Sequence, residues 1–265
     1  MKTNRIQKAF ENGKAFIPFL TCGDPDLETT EKLVLEMAEQ GADLIELGIP
    51  FSDPTAEGPV IQQADLRALE SGTTTDKVFT LVERLREQTD IPLVFMTYAN
   101  VVFSYGIERF ARRCEEAGID GLILPDVPYE EREEFLIPCR EHGVSLISMV
   151  APTSKERVAM IAEEAEGFLY LVSSLGVTGT REAAEFSAGL QDIITLVHET
   201  TDTPVCIGFG IATPEQAKSM AAIADGVIVG SAIVRQIGEG KQQAVRPVGA
   251  YVNAMKQAAC QAAAL

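Results

Sequence analysis

The chain has no tryptophan, only two histidines and few cations: 22 lysines and arginines stand against 39 aspartates and glutamates, a formal charge of -17. That deficit argues against nucleic acid or an anionic membrane surface as a partner. It leaves a phosphorylated small molecule open, because a few backbone N–H groups can hold a phosphate inside an acidic protein. Five cysteines (Cys22, Cys114, Cys139, Cys206, Cys260) are scattered without metal-ligand or redox spacing, the usage of a cytoplasmic protein with reduced thiols and no metal. His142 and His198 form no cluster; each falls near the end of an expected helix, where a dipole contact accounts for it. No apolar run approaches the roughly 18 residues of a membrane span, and the N-terminal Met1-Lys-Thr-Asn-Arg-Ile-Gln-Lys carries no hydrophobic signal region. No linker or charge block divides the sequence, so residues 1–265 are read as one domain. The final Ala262-Ala-Ala-Leu265 is read as an appended expression remnant outside the fold.

What is present is a core-forming composition, 46% hydrophobic and 23% charged. Short apolar runs recur: Phe16 to Thr21, Leu44 to Ile49, Pro92 to Thr97, Gly121 to Leu124, Val144 to Val150, Phe168 to Val172, Pro204 to Gly208 and Gly226 to Val229. Each is followed by a helical pattern such as Leu33, Val34, Met37 and Ala38, or Val78, Leu81, Val82 and Leu85. The last runs lack the alternation of a sheet with one wet face, so both faces are covered. Repeated βα units of this kind predict a closed (β/α)8 TIM barrel, with a doubly wound open sheet as the alternative. An extra amphipathic helix over about residues 3–12 precedes the first strand. Pro138 inside the expected helix 130–142 predicts a kink or an early stop.

In a barrel the chemistry belongs on the loops after the strands. The stretch Leu44 to Pro59 stands out there. Glu46 interrupts an apolar strand, and a carboxylate so placed is costly unless paired or used. Desolvation raises its pKa toward neutrality, where it can exchange protons. Glu57, in a Gly/Pro loop, is expected to stay ionised and accept a hydrogen bond. The plainer alternative is a buried glutamate capping a neighbouring backbone beside a solvated loop acid. Further on, Gly208-Phe209-Gly210 and Gly230-Ser231 each end a strand and lead into a helix. Such glycines let backbone N–H groups approach an anion, so they are the expected phosphate site; tight turn packing is the alternative. Gly176-Val-Thr-Gly-Thr-Arg181 has the composition of a mobile lid. Phe19, Leu124, Tyr170 and Phe209 either face a flat apolar substrate or fill the barrel.

The strings Glu46-Leu-Gly-Ile-Pro-Phe-Ser-Asp-Pro54, Ala56-x-Gly58-Pro59, Tyr98-Ala-Asn100, Asp126-Val-Pro128, Gly176 to Gly179 and Gly230-Ser-Ala-Ile-Val234 together resemble the tryptophan synthase alpha subunit family, over essentially the whole chain to about residue 260. The resemblance implies a retro-aldol cleavage of indole-3-glycerol phosphate to indole and glyceraldehyde 3-phosphate. It assigns Glu46 as acid and base, and Glu57 as acceptor for the indole N–H. In the family pattern the position of Glu57 is aspartate, so this chain departs by one methylene. Phe19, Tyr98, Tyr170 and Phe209 fall on positions around the indole, and Thr178 and Gly179 on lid positions that complete the closed site. The loops with Asp24-Pro25 and Asp53-Pro54 match those facing a beta subunit in an α2β2 assembly. Pyridoxal phosphate belongs to that beta subunit, and no cofactor is expected on this chain. Two other functions are compatible with the sequence: a catalytically weak regulatory subunit that activates a beta subunit, and another phosphate-binding barrel enzyme such as a sugar-phosphate epimerase.

Overall fold

Every strand among the described residues pairs in parallel with its neighbours, and the way the ladder ends defines the architecture. The computed structural model describes residues 5–152, 154–172, 180–208 and 210–262, with the side chains of 180–188 outside that description. The strands are β1 (Ala15–Thr21), β2 (Ile45–Gly48), β3 (Leu93–Met96), β4 (Gly121–Ile123), β5 (Ser145–Leu146), β6 (Ser148–Val150), β7 (Leu169–Val172), β8 (Val205–Gly208) and β9 (Gly226–Val229). Their order in the sheet is β5-β4-β3-β2-β1-β9-β8-β7-β6. Only Ile147 separates β5 from β6, so the two ends of that order are joined through one residue and the sheet closes on itself. The barrel therefore has the eight expected strands, the fifth broken in its middle, and the open-sheet alternative falls away.

Strand parity sorts the core into two layers. Ala15, Ile17 and Phe19 of β1, Val94 and Met96 of β3, Phe168 and Tyr170 at β7, and Cys206 and Ile228 fill the barrel interior. Their chain neighbours, including Phe16, Leu20, Ile45, Leu47, Phe95 and Leu122, pack outward against the helices. Helix ends follow their sequence signals. Asp26 caps the helix Leu27–Glu39 by accepting from Thr29 N at 2.7 Å. Gly41 lies just beyond it at φ +102°, where an L-side chain would be strained.

The structure departs from expectation at several points. Among the described residues the N-terminal helix spans Arg5–Lys8 and continues as looser turns to Glu11, before Gly13 at φ +108° redirects the chain toward β1. Its Ile6 is fully buried and belongs to the interior cluster, and Arg5 Nη1 donates to Asp120 Oδ1 at 2.8 Å. The helix holding Pro138 does not stop there: it runs Glu133–Glu141. The carbonyl that Pro138 leaves without a helical donor belongs to Glu134, an exposed residue, so water can satisfy it. Both histidines lie at helix C-termini as expected, but carboxylates hold them. The His142 ring bridges Glu115 (2.8 Å) and Glu108 (2.9 Å), and His198 contacts Asp225 at 2.8 Å. Ala262 is buried in the outer core layer, so it belongs to the fold; the rest of the Ala262 to Leu265 tail lies outside the described residues. All five cysteines are free. No helix among the described residues is long and apolar enough to cross a membrane.

Candidate active site

Parity places Glu46 on the inner side of β2, beside Phe19 of β1 and Val94 of β3 in the ladder. It is completely buried, and among the described residues neither carboxylate oxygen has a hydrogen-bond partner. The alternative of a backbone-capping glutamate is thereby excluded. Burial pushes its pKa well above the ordinary carboxylate value, and the nearby Glu57 pushes it further.

Glu57 sits just before the helix Pro59–Glu70, whose first residue is proline and whose N-cap is Gly58. The loop around it is fixed at two points. Gln62 Nε2 donates to the Glu57 carbonyl at 2.8 Å, and Ala56 N donates to the Tyr98 hydroxyl at 3.0 Å. Phe51 lies 5.5 Å from the Tyr98 ring between centroids. The side chain of Glu57 is half-buried, and burial raises its pKa as well. Glu57 is thus half-buried rather than freely solvated in its loop.

The aromatic residues are accommodated by glycines at strand ends. A Cβ on Gly48 would come within 2.7 Å of the Phe19 ring, and one on Gly230 within 3.4 Å of it. A Cβ on Gly208 would overlap the Tyr170 hydroxyl. Phe19 and Tyr170 thus occupy space these glycines vacate, on the inner face near Glu46, whose charge reaches Tyr170. Tyr98 comes from the other side, its phenol pKa pushed up to about 12 chiefly by burial. Gly210 is exposed at φ +77°, and Ser231 opens the helix Ser231–Gly240. Gly230 O accepts from Ile233 N at 2.9 Å, so the N–H groups of Ser231 and Ala232 precede the intrahelical bonds. Thr178, Gly179 and Phe209 lie outside the described residues, as does the side chain of Arg181. At this same end a cavity of about 500 Å³ opens between the loop after β4 and β6, lined in part by Leu124, Asp126 and Met149.

The four expected partner-facing residues behave differently from one another. Asp53 is exposed and Pro54 half-exposed. Asp24 turns inward instead: it is buried, and Arg67 Nε and Nη2 each donate to it at 2.8 Å. Pro25, half-buried, follows it through a cis peptide bond. Sequence reasoning missed Asp65, which is buried on the helix Pro59–Glu70 with its pKa raised to about 8 by burial, then by Glu57 and Asp24. Its position four residues after Ile61, on the helix's apolar face, was the available signal.

The family model described as tryptophan synthase alpha chain matches residues 6–260. The tryptophan synthase alpha chain of Lacticaseibacillus casei is 48% identical over 258 residues, covering 97% of this chain and 96% of that one. Among solved structures, subunit alpha of Legionella pneumophila superposes with a TM-score of 0.88 at 38% identity, covering 97% of this chain and 98% of the other. A chain of the Pyrococcus furiosus tryptophan synthase α2β2 complex does so with a TM-score of 0.84 at 36% identity, covering 92% and 99%. A barrel with a fully buried glutamate at its core and a match of this length leave one assignment: the chain belongs to the tryptophan synthase alpha chain family.

Proposed function

We propose that this chain, acting as one barrel domain in the cytoplasm, cleaves indole-3-glycerol phosphate to indole and glyceraldehyde 3-phosphate and passes the indole to a beta subunit. The observation that supports this reading best is Glu46, a fully buried carboxyl with no hydrogen-bond partner and a raised pKa. Stability does not explain such a group; proton transfer does. Glu46 donates its proton to the indole C3. The bond between C3 and the side chain then breaks, its electron pair rearomatising the ring, and the side-chain hydroxyl becomes the aldehyde as its proton goes to Glu46. The acid is regenerated and no proton is gained or lost. Glu57 accepts the indole N–H and offsets the positive charge on the protonated ring.

Phe19, Tyr98, Tyr170 and Phe209 surround the flat ring in this reading, while Gly210, Gly230 and Ser231 hold the phosphate with backbone N–H groups at the start of Ser231–Gly240. Thr178 and Gly179 close over the substrate. Asp53 and Pro54 face the beta subunit, which carries the pyridoxal phosphate; this chain needs no cofactor for its half-reaction. The inward pair of Asp24 with Arg67 braces the neighbouring loop from behind. The test is indole released from indole-3-glycerol phosphate, with and without a beta subunit. Release that increases on adding the beta subunit is expected. Absence of indole in both assays overturns the reading.

A further inference from the structure

Three buried side-chain polar atoms lack a hydrogen-bond partner among the described residues: the two oxygens of Glu46 and Thr21 Oγ1. A buried hydroxyl left unbonded costs stability, so its persistence calls for a partner that arrives from outside the chain. Thr21 is 1% exposed and ends β1. Ala15, Ile17 and Phe19 face the barrel interior, and the same parity turns Thr21 inward while Leu20 and Cys22 face the helices. Across the ladder, Phe19 stands beside Glu46 and Thr21 beside Gly48. The residue opposite Thr21 therefore has no side chain to meet its hydroxyl.

The separation is informative. One strand over and two residues along is about 8 Å between Cα atoms, from a strand spacing of about 4.8 Å and a rise of about 3.3 Å per residue. Glu46 is long enough to shorten that gap but makes no bond to Thr21. A single oxygen lying between them could accept or donate to both, at about 2.8 Å each.

We propose that Thr21 is a substrate-binding and specificity-determining residue: its hydroxyl hydrogen-bonds a hydroxyl of the substrate's polyol chain, holding that group within reach of Glu46. This deepens the retro-aldol reading and rests on it, because that reaction needs a side-chain hydroxyl placed to give up its proton at the catalytic carboxyl. Threonine suits the task, since its hydroxyl both donates and accepts and follows the substrate oxygen as the proton leaves. The methyl group remains to fill the apolar layer.

Thr21→Val, Thr21→Ala and Thr21→Ser, assayed as full-length chains for indole release, test the proposal. Thr21→Val keeps the shape and removes the hydroxyl. It is expected to melt no lower than wild type, because no protein hydrogen bond is lost, while kcat/KM falls by about tenfold to a hundredfold from a lost hydrogen bond and an unmet substrate hydroxyl. Thr21→Ser should restore most of that loss. Thr21→Ala, which cannot crowd the layer, should show the same fall if the valine variant folds poorly. The pH profile of kcat/KM should keep its limbs in every variant, since Glu46 is untouched. An analogue lacking that hydroxyl cannot be cleaved and serves as an inhibitor, and it should bind wild type and Thr21→Val within twofold of each other. Values of kcat/KM within twofold of wild type for both hydroxyl-free variants overturn the proposal, as does a serine variant no better than alanine. Failure of the wild-type chain to release indole would instead strike the parent reading.

Discussion

Replacing Glu46 with methionine removes a carboxyl that is wholly buried and makes no hydrogen bond, while keeping a side chain of similar length. A buried polar group without a partner costs about 1–3 kcal/mol. The variant should therefore be more stable than wild type by that amount, a rise in Tm of roughly 2–10 °C for a chain this size. The sign of the pH dependence follows from the direction of the shift. The folded-state pKa of Glu46 is raised, so the folded protein binds the proton more tightly than the unfolded chain. The wild type then loses stability as pH rises above the unfolded glutamate value of about 4.3, and this loss ends only above the folded pKa. The advantage of the variant should accordingly be larger at pH 8 than at pH 5. Urea denaturation at both values measures it, with the slope compared to confirm that the same surface unfolds. Indole release should fall by at least about a hundredfold in the same protein, the usual minimum for a lost general acid–base. A variant less stable than wild type at pH 8 would show that the carboxyl is bound and structural, and the assignment would lose its main support.

Glu57→Asp should lower kcat for indole release and Glu57→Ala should lower it further, because the loop is pinned by Gln62 and Tyr98 around the longer acid; a tenfold or greater rise for the aspartate variant would instead favour the regulatory-subunit alternative. Asp53→Ala should leave the melting temperature within about 1 °C, since exposed positions rarely matter to stability, while weakening mutual activation in a titration with beta subunit; unchanged activation removes Asp53 from the interface. The His142 pKa is raised, first by Glu108 and then by Glu115. Its contribution is therefore fully present below the ordinary imidazole value of about 6.5 and lost as pH rises through the elevated one. His142→Gln should cost more stability at pH 5.5 than at pH 9 in urea denaturation, and an equal loss at both would refute the charged clamp.

Much of the barrel was legible because each strand is a short apolar run bounded by glycine or proline, a signal carried within a few residues. The break at Ile147 was not, since Val144 to Val150 looks like one continuous strand; β5 answers to β4 and β6 to β7, and only those long-range partners place the gap. Glu46 was readable as a charge out of place in an apolar run. The surroundings of Glu57 were not, because its loop is held by Gln62 on the following helix and by the distant Tyr98. The glycines at strand ends were recognised for what they offer an anion. Their second role, leaving room for Phe19 and Tyr170, emerges only when neighbouring strands are laid side by side. The inward pairing of Asp24 with Arg67 was hidden for the same reason.

In the reaction we propose, the two glutamates also fix the order of the chemistry. Both carboxyl groups are pushed toward the protonated form, but unequally: Glu46 has no exposed surface, whereas Glu57 keeps a face to solvent. Like charges in one site disfavour double ionisation, so the first proton to leave comes from the better-solvated group. On the proposed reading, Glu46 is the group that keeps its proton longer and Glu57 the one that yields it first. That is the arrangement needed at the outset, when the ring carbon must receive a proton and the ring N–H must find an acceptor. The reverse assignment would put the proton at the indole nitrogen, where an acceptor is required, and a bare carboxylate at the carbon that needs an acid. The same inequality serves the second step. Once Glu46 has given its proton away, its unsolvated carboxylate is a strong base, and the nearest acidic hydrogen is on the hydroxyl that must become the aldehyde. A more polar pocket around Glu46 would weaken both halves of that exchange, so leaving its oxygens without protein partners is what lets one residue act as acid and then as base.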